Sequence, residues 1–243
     1  MKASHHFHIV LLLSVSLFLA VSCNKTETKT IENGTDYYPL IIGHYITYSV
    51  DSFYYSATNY PTISIDTIHY EIKELIDTTF IDNEGRTSFR IERYRRPDAS
   101  SLWAIDRVWS ANNNNMILDK NEDDLHFIKL VFPIIEGKTW SGNKQIAAID
   151  ENEYLKDWVY VYQNVDKPFT IGAETFDSTL LVLQVDDENL IEKKYAYERY
   201  AKGVGMIAKE IQFLGKQRDL SNGWDYPETG VWVRYLYTGQ GQQ

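Results

Sequence analysis

The chain has 243 residues, a net charge of −10, one cysteine, eighteen tyrosines and six tryptophans. A single thiol excludes internal disulfides and cysteine-rich zinc sites, so the fold must hold by packing. The acidic balance repels phosphate backbones, which argues against nucleic-acid binding.

Residues 1–22 read as an export signal: Lys2 and three histidines, the uncharged apolar run 9–21, then Ser22 before Cys23. As a helix that run rises about 20 Å, short of the ~30 Å hydrocarbon core, so a permanent span is not expected. Residues 24–36 (NKTETKTIENGTD) are polar and predict a flexible tether of roughly 40 Å at full extension. Residues 37–243 follow without a Pro/Gly/Ser linker and predict one β-rich domain.

Within that domain the strand signals run in chain order. Ile46, Tyr48 and Val50 alternate with polar residues, as do Ile68, Tyr70 and Ile72. The same period of two recurs at Trp158, Tyr160 and Tyr162, at Tyr195 and Tyr197, and at Val231, Val233, Tyr235 and Tyr237. Alternation rich in aromatic and β-branched residues marks half-buried antiparallel strands. The basic stretch 90–96 lies on such a strand and reads as a solvated face. Residues 179–185 (TLLVLQV) are apolar on both faces and predict a central strand.

Asp82-Asn83-Glu84-Gly85 suits a tight hairpin, with further connections expected at residues 112–115, 186–189 and 203–205. No amphipathic helix of three turns is predicted; residues 150–157 could form a short helical piece. The fold expected is all-β: a curved antiparallel meander or half-open barrel.

Tyr38-Pro39-Leu40-Ile41-Ile42-Gly43 matches Phe132-Pro133-Ile134-Ile135-Glu136-Gly137 in spacing. Each reads as a strand-entry turn, with proline fixing the approach and glycine permitting the bend. Convergence of two loops and duplication of half a sheet both account for the match. Equal destabilisation is expected on replacing either glycine by valine.

Two resemblances accompany these residues. Leu19-Ala20-Val21-Ser22-Cys23 resembles the lipobox of bacterial lipoproteins, although Ala20 stands where leucine is commonest. This implies that Cys23 carries the lipid and anchors the chain in the cell envelope, at the periplasmic or surface face of the outer membrane. The opening at Tyr38, together with Tyr200-Ala201-Lys202-Gly203-Val204-Gly205, is similar to uncharacterised lipoproteins of Gram-negative bacteria. That resemblance implies a curved sheet like the half-barrel of lipoprotein localisation factors and no activity.

Catalytic and metal signatures fail on inspection. His44, His69 and His126 have no partner at metal-ligand spacing, and no nucleophile elbow or phosphate loop occurs. Residues 119–124 begin like a calcium loop, but Asp124 and Leu130 stand where Gly and Glu are required. The expectation is therefore a non-enzyme with no catalytic, cofactor or metal residues, and with Cys23 as its lipid-attachment site. Its aromatics would line a site for an apolar ligand or, alternatively, form a surface recognising glycan or protein.

Overall fold

In the computed structural model, residues 32–59, 62–147, 150–218, 220 and 223–243 are described. The expected signal, Cys23 and most of the tether lie outside them. Twelve strands follow one another: β1 (His44–Asn59), β2 (Thr62–Ile81), β3 (Thr87–Arg96), β4 (Ala104–Asn113), β5 (Ile117–Glu122), β6 (Leu125–Val131), β7 (Thr139–Trp140), β8 (Tyr160–Ile171), β9 (Glu174–Glu188), β10 (Glu192–Ala201), β11 (Gly205–Gly215) and β12 (Thr229–Gln242). Among the described residues there is no α-helix, only 3-10 turns at Thr35–Tyr37 and Asp150–Leu155.

The strands form one antiparallel sheet in the order β6-β5-β4-β3-β2-β1-β12-β11-β10-β9-β8-β7. It curls into a barrel that is nearly closed, with an unsealed seam between β6 and β7. The two matched proline-glycine segments hold equivalent places. One leads into β1 and the other into β7, each the first strand of a six-strand meander, and β1 and β12 join the halves.

Open edges leave backbone groups unpaired, and the backbone after β7 together with side chains meets that need at the seam. The Ile128 amide donates to the Gly142 carbonyl at 2.8 Å. Trp140 Nε1 donates to the Ile128 carbonyl at 2.8 Å. Tyr162 Oη accepts from the Val131 amide at 2.8 Å and donates to its carbonyl at 3.0 Å.

One end of the barrel is plugged by the entering chain. Tyr37 is buried, and its hydroxyl donates to Asp166 at 2.7 Å. The Gly203 amide donates to Asp36 O at 2.8 Å, and the Tyr38 and Tyr200 rings meet edge to face at 6.2 Å. The last residues of the expected tether are held by backbone bonds, including Ile134 N to Asn33 O at 3.2 Å.

The hairpin at 82–86 and the Gly203-Val204-Gly205 turn stand where expected. Others shift: β4 runs on through Asn112 and Asn113, and β9 through Asp186, Asp187 and Glu188. Cross-strand pairing overrides the turn preference of these residues. Residues 179–185 are largely buried, yet β9 lies third from the seam rather than centrally.

The wall's outer face is polar at mid-strand. Asp51 points away from its buried neighbours Val50 and Ser52 and pairs in register with His69 and Arg234. Arg234 in turn pairs in register with Glu210. His69 Nδ1 and Arg234 Nη2 each lie 2.9 Å from an Asp51 oxygen. Four ionisable side chains abreast suit a wall facing water, not hydrocarbon.

Candidate functional site

The barrel interior is mainly apolar, filled by Tyr48, Val50, Ile72, Leu118, Leu180 and Ile207 among others. A charged layer crosses it, because inward positions on several strands break the apolar run: Glu74 on β2, Lys120 and Glu122 on β5, Lys129 on β6, Glu198 on β10 and Lys209 on β11.

These groups pair with one another. Lys120 Nζ lies 3.2 Å from Glu74 and 3.1 Å from Glu122. Lys129 Nζ is 2.8 Å from Glu198 and 3.3 Å from Glu122, and Lys209 Nζ is 3.2 Å from Glu198. Tyr200 donates to the other Glu198 oxygen at 2.5 Å. Burial alone would raise the Glu198 carboxyl, but Lys129 and Lys209 hold it down to about 2. Glu122 is likewise held well below the ordinary range, against its burial. Burial works against the Lys120 ammonium, yet Glu74 and its neighbours keep it well above its ordinary value. With each carboxylate met by a cation, the layer is a fixed polar floor.

Above the floor the barrel stays open as a cavity of about 390 Å³. Its wall is aromatic: Tyr70, Trp109, Phe127, Trp158, Phe213 and Tyr235 all line it. Phe213 is clasped edge to face by Tyr154 at 5.2 Å and tilted against Trp158 at 5.9 Å. Trp158 Nε1 is fixed by the Tyr154 carbonyl at 3.0 Å. Arg93 pairs with Asp106 and donates to Tyr235 Oη at 3.0 Å. Arg95, two residues along β3, lies over the Tyr70 ring at 3.9 Å.

The stretch 90–96 is therefore only half the solvated face expected. Arg90 pairs outside with Asp77 at 2.6 Å, and Arg96 with Glu71 at 2.5 Å. Arg93 is buried inside, and Arg95 lines the cavity. The signal was legible: Phe89, Ile91, Arg93 and Arg95 share one face, so the cations continue an apolar row.

Trp158, Tyr160 and Tyr162 are buried on the inner face, as their alternation predicted. On β10 the sense is inverted: Ala196 and Tyr200 are buried, while Tyr195 and Tyr197 are half-buried on the outside. The two motifs that carry the lipoprotein resemblance meet at the plugged end. Besides the Tyr38–Tyr200 contact, His44 Nε2 donates to Val204 O at 2.9 Å. They serve the plug and not the cavity.

The calcium-like stretch is divided between roles. Glu122 joins the floor, Asp123 accepts from Trp109 Nε1 at 3.1 Å and from Arg107 at 3.0 Å, and Asp123-Asp124 form the two-residue β5–β6 turn at φ 53° and 66°. Comparison of the chain with family models, with curated proteins and with solved structures finds no match.

Proposed function

We propose that this is a lipid-anchored, non-catalytic protein of the bacterial cell envelope that binds a small, partly apolar ligand in the open mouth of its barrel. The observation that carries the reading is the cavity itself: about 390 Å³, aromatic at the wall and closed below by paired charges. A concave apolar site with a few fixed polar groups is the common form of a small-molecule pocket. The paired carboxylates of the floor favour binding over catalysis, since none stands as a ready base.

Two further features support the reading. The charged outer row around Asp51 favours an anchored soluble barrel over a spanning one. The outer aromatics Phe53, Trp232, Tyr195 and Tyr197 are half-buried in the wall, which favours the cavity over a flat recognition surface.

Anchoring and binding are tested separately. Cys23→Ala should move the protein out of the membrane fraction, and intact mass should find lipid on the wild-type Cys23. A free thiol there would end the anchoring reading. Naphthalene-2-sulfonamide, a neutral flat probe, should quench tryptophan fluorescence of the full chain in dilute non-ionic detergent. Leu125→Trp, which places a large ring in the cavity, should abolish that quenching at an unchanged thermal midpoint. Quenching indifferent to Leu125→Trp would remove the cavity as the site.

A further inference from the structure

We infer that the ligand of the barrel mouth is an amphiphilic anion: an apolar body of modest size bearing one negatively charged group. This rests on the mouth being a binding site and adds the charge of what it binds.

The cavity is a positive spot in a negative protein. The floor's three lysines balance its three glutamates, and Arg93 and Arg107 meet Asp106 and Asp123, so Arg95 stands as one cation in excess, in a chain of net charge −10. A concave site with low-dielectric walls focuses such a field on whatever enters. A cationic ligand would meet that excess directly.

The excess has an address. Arg95 has no carboxylate partner among the described residues; its guanidinium rests on the Tyr70 ring at 3.9 Å, leaving its edge donors unused. A guanidinium held over an aromatic ring keeps N–H donors free to fork onto a planar or tetrahedral anion. Below it on the same strand, buried Arg93 Nε has no acceptor. Lys209 is the most open of the three floor lysines, at 15% side-chain exposure against 5% for Lys120 and 3% for Lys129. The body would lie against Trp158, Phe213 and Phe127, and a volume of about 390 Å³ is at the lower end for a drug-sized molecule.

The test is a set of probes of one shape and three charges: naphthalene-2-sulfonate, naphthalene-2-sulfonamide and 2-naphthylmethylammonium. Each is titrated into the full chain in dilute non-ionic detergent. The sulfonate should bind about tenfold or more tighter than the sulfonamide at low salt, and the ammonium weakest. The gap should narrow in about 0.5 M salt, where exposed charges are screened. Arg95→Gln should lower the sulfonate-to-sulfonamide affinity ratio severalfold while the thermal midpoint holds. Equal affinities, a preference for the ammonium, or an unaltered ratio in Arg95→Gln would overturn the inference and leave the site standing. Failure of all three probes to bind, or binding indifferent to Leu125→Trp, would overturn the site and the inference with it.

Discussion

Lys129 on β6 and Glu198 on β10 meet inside the barrel with 2.8 Å between ammonium and carboxylate, their side chains only 3% and 1% exposed. The pair ties the edge strand β6 to β10, the fourth strand in from the other edge, across a seam that no β-ladder closes. Removing one partner leaves the other buried charge with only its second, longer ion pair: Glu198 keeps Lys209 at 3.2 Å and Lys129 keeps Glu122 at 3.3 Å. Lys129→Met and Glu198→Gln should each cost about 1.5–3 kcal/mol in urea unfolding. The double variant should cost clearly less than the sum of the singles.

Acid should act through the same layer. The Glu198 carboxyl is buried, yet Lys129 and Lys209 hold it down to about 2, and Glu122 is also lowered. A carboxyl depressed on folding contributes stability that is full above its unfolded value, about 4.3, and lost as pH falls through the folded one. Thermal midpoints should therefore hold from neutrality to about pH 5 and drop between about pH 4 and pH 2. Glu198→Gln should flatten that drop, and a midpoint curve identical to wild type would contradict the assignment.

Gly43 and Gly137 both adopt the left-handed conformation expected of strand-entry turns, at φ 86° and 76°. They are not equivalent to substitution. A Cβ on Gly43 would lie 2.3 Å from the Gln243 carbonyl oxygen, whereas one on Gly137 meets nothing within 4 Å. The equal destabilisation expected from the sequence match is thus replaced by an unequal one. Gly137→Val should cost about 1–2 kcal/mol of backbone strain, and Gly43→Val more. Unfolding midpoints that fall by the same amount would contradict this.

Trp140 supplies the seam with a hydrogen bond to Ile128 O and lies tilted against Tyr162 at 4.5 Å. Trp140→Phe keeps an aromatic ring and loses the donor. Stability should fall by about 1–2 kcal/mol, the cost of an orphaned buried carbonyl. Amide exchange should quicken in β6 and β7 before β1 and β12 respond, because the seam lacks a ladder to hold it. Uniform quickening through the sheet would show that the seam is no weaker than the rest.

By itself the sequence determined the class of the fold, because period-two alternation is a local property: Tyr160 and Tyr162 announce a strand and its buried face without reference to any neighbour. It also placed Gly43 and Gly137 at strand entries, since proline and glycine act on their own backbone. It did not reveal that the two turns differ, because the obstacle at Gly43 is Gln243, two hundred residues away. Nor did it reveal the charged floor. Glu74, Lys120, Lys129, Glu198 and Lys209 read singly as solvent residues, since burying a lone charge is prohibitive. Only the closing of twelve strands places each beside an opposite charge that makes its burial tolerable. The same closure turns Arg95 from a residue of a basic stretch into an unmatched cation at an aromatic mouth, because the direction of a side chain is local but what it faces is not.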